Sequence, residues 1–196
     1  AIATEINPTL LALNVAAFEH GVGFLWDDDE VSVGHGSNSE IWPFRELPDA
    51  QTLDWSKYRD VPVGIVTGTN GKTSLATFLS HLWNSVGRSA VVAGNIGVPL
   101  SKLIAEGLSD ETTVFLETSS FQGEDLKFIK LNSLMWTNFE EDHLDYHGSI
   151  HKYFLAKANM FSLLGNGSLF VGKTVKEYAE NNNYKLPRQT EVVNKN

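Results

Sequence analysis

The sequence predicts an α/β fold: a mainly parallel sheet with helices on both faces over residues 61–196, preceded by a small N-terminal segment and linker over residues 1–60. Three observations carry this prediction. From Pro62 onward, short apolar runs alternate with stretches of helical period, the pattern of crossover units stacked on a parallel sheet. The runs are continuous rather than alternating, as in strands buried on both faces. The first sixty residues read differently, with one helical stretch, a pair of short strand-like runs and a proline-rich tract.

Taken in order, "NPTLLALNVAAFEHG" places Leu10, Leu13, Val15, Ala17 and Phe18 at helical spacing and ends on Gly21, a suitable stop. "VGFLWDDDEVSVG" predicts two short strands around an Asp-rich turn, more in keeping with a solvated hairpin tip than a cation site. "WPFRELPDAQTLDWSKYRDVP" carries Pro43, Pro48 and Pro62 with little periodicity and predicts a linker. "VGIVT" (63–67) is the first core strand. Helix 73–86 follows, with Leu75, Phe78, Leu79, Leu82 and Val86 expected on its buried stripe and Gly87 after it. Strands "SAVVAG", "TVFLE", "SLMWTN" and "SLFVG" come next, with helices near 99–107, from 149 to about 163, and near 174–182.

Bulk composition narrows the function. A net charge of −9, from 15 basic and 24 acidic residues, argues against a broad nucleic-acid or membrane-surface footprint, though not against a local positive pocket. No apolar run approaches the ~18 residues of a membrane span. Cysteine is absent, which removes disulfides, thiolate nucleophiles and Cys-ligated metals. No leader-like start is visible, so the default compartment is cytoplasmic.

The turn "TGTNGKTS" between the first core strand and helix 73–86 has the chemistry of a phosphate cradle. Gly68 and Gly71 let the backbone turn tightly and bring N–H groups to a ligand. Lys72 supplies charge, Thr73 a hydroxyl for a phosphate-bridging metal, and the helix start a partial positive end. The general P-loop pattern has a further Gly where this chain has Val66, so this is a shortened variant.

Later loops also fall at strand ends, where ligands of open α/β sheets collect. "GNIGVP" flanks Asn95 with glycines, which alone reads as a simple turn. Glu117 ends the strand "TVFLE"; a carboxylate there either reaches solvent or is balanced by a hard cation such as Mg²⁺. His143, His147 and His151 are spaced by four, but Gly148 and the N-cap candidate Ser149 break the helix that a zinc site would need. Read as plain sequence, Lys157 is a surface lysine.

"GTNGKTS", "GNIGVP", "ETSSFQ" and "DHLD", in this order, resemble the Mur ligase family, the enzymes that build the peptide stem of peptidoglycan, and their folylpolyglutamate- and cyanophycin-synthetase relatives. The resemblance runs from about Pro62 to Phe161, and "GNIG" and "E-x-SSFQ" are most like the branch adding D-glutamate to UDP-N-acetylmuramoyl-L-alanine. It implies a P-loop NTPase-like central domain and an ATP-dependent acid–amino-acid ligase working through an acyl phosphate. ATP would lie on Gly68, Thr69, Asn70, Gly71, Lys72, Thr73 and Ser74. Mg²⁺ would be held near Thr73 and Glu117, with a second ion near His143. Asn95, Ser119, Ser120 and Gln122 would lie near substrate; Lys72, His143 and a Lys157 carbamylated by CO₂ would be catalytic. Asp142 and Asp145 would orient the His143 loop.

The family's later "G-x-HN-x-x-N" segment has no counterpart after Leu164, and residues 1–60 do not match a UDP-binding domain. The chain also opens on Ala1 rather than Met. The expectation is therefore a central domain incomplete at its C-terminal end, its site completed by a further domain, which alone binds nucleotide weakly and does not turn over. Two other readings stay open: a cyanophycin- or folylpolyglutamate-like ligase differing in its acceptor, and a nucleotide-binding module without catalysis.

Overall fold

The computed structural model describes residues 7–26, 30–34, 36, 38–95, 97–127 and 129–193. The chain divides into two compact units, residues 1–61 with 104–110, and residues 62–103 with 111–196.

In the first unit, helix α1 (Pro8–His20) begins where the Asn7 side chain accepts the N–H groups of Thr9 and Leu10, each at 3.1 Å. It ends on Gly21 in the left-handed conformation. Leu10, Leu13 and Ala17 are buried, whereas Phe18 is 85 % exposed and Val15 also faces out. Strands β1 (Phe24–Trp26), β2 (Glu30–Val33) and β3 (Glu40–Pro43) form an antiparallel sheet. Asp27, Asp28 and Asp29 of the acidic turn lie outside the described residues. The tract read as a linker is folded. It starts within β3 and continues through two 3-10 turns, Ala50–Thr52 and Trp55–Lys57, capped by Asp49 and Asp54. Ala50 and Tyr58 join the core, and Tyr58 donates its hydroxyl to Glu40 at 2.8 Å. Proline and low periodicity concealed this because side-chain caps, rather than regular ladders, hold the segment.

The second unit is a six-stranded, all-parallel sheet in the order β5-β6-β4-β7-β8-β9. The strands are β4 (Val63–Thr67), β5 (Ala90–Gly94), β6 (Thr113–Glu117), β7 (Ser133–Trp136), β8 (Ser168–Gly172) and β9 (Thr190–Val193). Every residue of β4 is buried, as its continuous apolar run requires. Helices α2 (Lys72–Ser85), α3 (Leu100–Ala105), α4 (Ser120–Asp125), α5 (Leu144–His147), α6 (Ile150–Ala158) and α7 (Lys173–Asn181) connect them. Adjacent side chains of β7 show helices on both faces: Met135 packs with the cluster under α2, while the Trp136 ring packs, tilted, against Phe154 of α6 at 5.0 Å.

The buried stripe of α2 differs from the expected one. Ala76 and Ser80 are its buried residues, flanked by Leu75, Leu79 and Trp83, whereas Phe78, Leu82 and Val86 are 59 %, 41 % and 65 % exposed. Small residues face the sheet, and polar bonds tie the helix end to β5: Ser80 Oγ and Asn84 Nδ2 both donate to the Ala90 carbonyl. Three elements of this unit were not anticipated. Helices α4 and α5, of six and four residues, are too short to show a period, and β9 is an edge strand with half its side chains exposed.

Candidate active site

The strand order puts β4 between β6 and β7, so the loops leaving the three C-terminal ends converge at the topological switch of the sheet. Cross-strand register fixes the details. Val66 lies opposite Glu117, Glu117 opposite Gly94, and Thr67 opposite Trp136.

The loop after β4 turns through Gly68 (φ 152°) and Gly71 (φ 77°), and Gly71 caps α2 without a side-chain hydrogen bond. Gly71, Thr73 and Ser74 are exposed, so the first-turn N–H groups of α2 face open space with the helix's positive end behind them. Thr69 and Asn70 behave differently. Their N–H groups both donate to the Asn138 side-chain oxygen, at 3.0 and 2.9 Å.

Two lysines meet beneath this loop. Lys72 Nζ folds back to donate to the carbonyls of Gly68 (3.2 Å) and Thr69 (3.0 Å). Lys157 Nζ, from α6, donates to the same Gly68 carbonyl at 3.0 Å and to Thr67 Oγ1 at 3.1 Å. Lys157 is 1 % exposed, which overturns the reading of it as a surface residue. Helix α6 turns Tyr153, Phe154 and Lys157 inward, and the amine lies over the Tyr153 ring at 5.1 Å. Burial and then the charge of Lys72 pull the Lys157 pKa down to about 7, with Asp142 pulling the other way.

Glu117 is likewise buried, at 1 % exposure. Its carboxylate accepts the Thr73 hydroxyl at 2.8 Å and approaches the Asn95 amide at 3.4 Å. The Asn95 N–H donates to the Glu117 carbonyl at 2.9 Å, and Gly94 (φ 108°) admits this approach because a Cβ there would collide with that carbonyl. A buried carboxylate whose described partners are a hydroxyl and an amide has room in its balance for a cation. Among the described residues no three His, Cys, Asp or Glu gather to hold an ion by themselves. The donor set therefore suits Mg²⁺, which keeps waters and phosphate oxygens in its shell.

His143 caps α5 in the left-handed conformation (φ 50°) and is exposed, its ring 5.0 Å from that of Phe121 and its Nε2 3.5 Å from Asp142 Oδ2. Gly148 (φ 72°) and the Ser149 cap separate α5 from α6, so the three histidines do not share one helix. His147 is buried, with Nε2 3.0 Å from Ser120 Oγ, and burial lowers its pKa. Ser119 and Gln122 form a capping box at the start of α4. Of the four residues expected near substrate, Asn95 and Gln122 are exposed, Ser119 is half-buried, and Ser120 is 2 % exposed and turned to His147, away from any open surface.

Sequence reasoning missed Asn138, Thr137 and Tyr153. The available signal was their place: Thr137 and Asn138 are the first polar residues after β7, beside the strand that feeds the loop. An apolar cavity of about 800 Å³, lined in part by Leu79, Trp83, Phe115, Met135 and Phe170, opens on the α2 side of the sheet. None of the expected site residues lines it.

Comparison with known proteins places these elements. Residues 66–195 match the family model described as the Mur ligase middle domain. The chain is 45 % identical over 127 residues to the UDP-N-acetylmuramoylalanine--D-glutamate ligase of Desulfitobacterium hafniense, covering 61 % of this chain and 28 % of that protein. To the enzyme of that name from Streptococcus pyogenes it is 39 % identical over 114 residues, covering 58 % and 25 %. The chain thus spans about a quarter of the length of these curated relatives. Among solved structures, MurF ligase from Thermotoga maritima in complex with ADP superposes with a TM-score of 0.55 at 19 % identity, over 69 % of this chain and 33 % of that one. A UDP-N-acetylmuramoyl-L-alanyl-D-glutamate--2,6-diaminopimelate ligase gives 0.51 at 22 %, over 68 % and 31 %. The matched span covers every loop at the C-terminal rim of the parallel sheet and all of that sheet but the first three residues of β4, and on that basis the chain belongs to the Mur ligase middle-domain family.

Proposed function

We propose that this chain is the ATP-binding body of an ATP-dependent amide ligase that adds D-glutamate to UDP-N-acetylmuramoyl-L-alanine, within a longer polypeptide whose other parts complete the site. The single observation that carries the reading is the convergence, at the ends of β4, β6 and β7, of two lysine amines, an uncapped helix start and a buried carboxylate bonded to a threonine hydroxyl. These are the parts needed to bring two anions together.

In the first step a substrate carboxylate oxygen attacks the γ-phosphorus of ATP and the bond to the ADP oxygen breaks. In the second, an amino group adds to the acyl carbon, phosphate leaves and the amine loses its proton. The chain's residues act mainly on charge. The N–H groups at 71–74 hold phosphate oxygens, and Lys72 leaves its loop carbonyls to meet them. Thr73 and Glu117 would hold Mg²⁺, which supplies charge neutralisation between the phosphates and the attacking oxygen. His143 would serve a second ion. Lys157, held near neutrality by burial and by Lys72, has the free amine that carbamylation by CO₂ requires. Asn95, exposed beside Glu117, faces the acceptor.

The test is hydroxylamine trapping of the acyl phosphate by the full-length ligase, with and without Lys72→Ala. ATP-dependent hydroxamate should form with UDP-N-acetylmuramoyl-L-alanine and vanish in the variant. Undiminished trapping in Lys72→Ala rejects the site. Trapping with a folate or a free amino acid instead rejects the substrate, and ADP binding without trapping under any mixture indicates a module without catalysis.

A further inference from the structure

We infer that Asn138 is a positioning residue of the phosphate loop: its side chain occupies the N–H groups of Thr69 and Asn70, leaving the phosphates to the N–H groups of residues 71–74. The inference deepens the proposed reading and rests on it for the identity of the anion. Asn138 Oδ1 accepts from Thr69 N at 3.0 Å and Asn70 N at 2.9 Å, and its Nδ2 donates to the Asn70 carbonyl at 3.1 Å. Its own carbonyl accepts from Thr69 N as well, at 3.2 Å. One side chain thus closes both polarities of the loop backbone, which neither a shorter nor an apolar residue does.

The neighbours of Asn138 complete the clasp. Thr137 Oγ1 donates to the carbonyls of Asn70 (2.9 Å) and Thr67 (3.2 Å). Glu140 N donates to Thr69 Oγ1 at 3.0 Å, and Phe139 N is anchored by Thr174 Oγ1 of α7 at 2.8 Å. Gly68 permits the approach, because a Cβ there would collide with the Thr137 hydroxyl. The loop is therefore bound to the segment that leads, three residues past Phe139, to Asp142 and His143. The clasp sets the phosphate loop in register with the His143 loop.

The experiment uses the ¹⁵N-labelled 196-residue chain, its Asn138→Ala variant and its Thr137→Val variant, with Mg²⁺·ADP as the probe. In the nucleotide-free parent, the amides of Thr69 and Asn70 should exchange slowly with solvent. On adding Mg²⁺·ADP, resonances of residues 71–74 should shift while those of Thr69 and Asn70 stay nearly still. Asn138→Ala should speed exchange at those two amides with β5 and β8 unchanged, and weaken ADP binding about tenfold. Thr137→Val, which keeps the Asn138 bonds, should have the smaller effect on both. Phosphate-induced shifts at Thr69 and Asn70 as large as those at 71–74 overturn the inference, as does unaltered exchange at both amides in Asn138→Ala. Should the isolated parent bind no ADP, the exchange measurement still decides the clasp, and the proposed function is decided by acyl-phosphate trapping with the full-length ligase. Should Asn138→Ala fail to fold, the exchange rates of Thr69 and Asn70 in the parent and the Mg²⁺·ADP titration of the parent decide it.

Discussion

Lys157 makes stability depend on pH in a window where few other groups titrate. Its pKa is about 7 in the fold against the ordinary 10.5, chiefly because burial disfavours the ammonium. Between these values the unfolded chain carries a proton that the folded one lacks, so stability rises with pH from 7 towards 10.5 and is lost as pH falls through 7. Each pH unit well inside the window is worth ~1.4 kcal/mol. From pH 7 to 9, allowing for half-protonation at the start, the gain is about 2 kcal/mol. The tyrosines with raised pKa, Tyr153 among them, act in the opposite sense only near and above pH 10. The assay is urea unfolding followed by tryptophan fluorescence in CO₂-depleted buffer, for the parent and for Lys157→Met. With a urea slope of about 2 kcal/mol/M, the parent midpoint should rise by about 1 M between pH 7 and 9. The midpoint of Lys157→Met should stay flat. A parent and variant that move together across this range refute the account of Lys157 as a buried amine near neutrality.

Glu117→Gln should bind ADP nearly as well as the parent in EDTA but lose most of the gain that Mg²⁺ gives the parent; calorimetry with and without the ion checks this, and an unchanged Mg²⁺ gain removes Glu117 from the metal site. Gly94→Ala forces a Cβ into the Glu117 carbonyl at a positive φ, and should cost roughly 2–3 kcal/mol in urea unfolding. Ser119→Ala breaks the capping box of α4 and should cost about 1 kcal/mol by the same measurement.

The fold of residues 62–193 was largely legible because its central strands β4 and β6 are buried on both faces and so appear as unbroken apolar runs, and glycines mark the ends of β4, β5 and β8. Where apolar character and burial part company, the sequence misled. Phe78, Leu82 and Val86 follow a helical period as well as Leu75 and Leu79 do, yet α2 turns Ala76 and Ser80 to the sheet instead. The candidate site was legible through residues whose chemistry is unusual for their place, such as Lys72 in a glycine turn and Glu117 at the end of an apolar strand. Asn138 was not, since an asparagine after a strand is ordinary, and only register shows that it lies against the loop from β4. The burial of Lys157 was hidden for a similar reason. Its side chain crosses to a loop 89 residues earlier, a contact that no local period encodes.

That contact also explains why two like charges share one acceptor. Lys72 is half-buried, whereas Lys157 is enclosed by Tyr153 and the β4 end. Placing both amines on the Gly68 carbonyl is tolerable if one gives up its proton, and burial selects Lys157. The fold therefore sets the difference between the two amines: one half-buried and bonded to the loop carbonyls, and one enclosed whose proton burial weakens. Replacing Lys72 with a neutral residue should consequently raise the Lys157 pKa as well as remove the proposed phosphate contact. An NMR titration of the Lys157 side chain in Lys72→Met would detect the rise, and an unmoved Lys157 would show that burial alone sets its pKa.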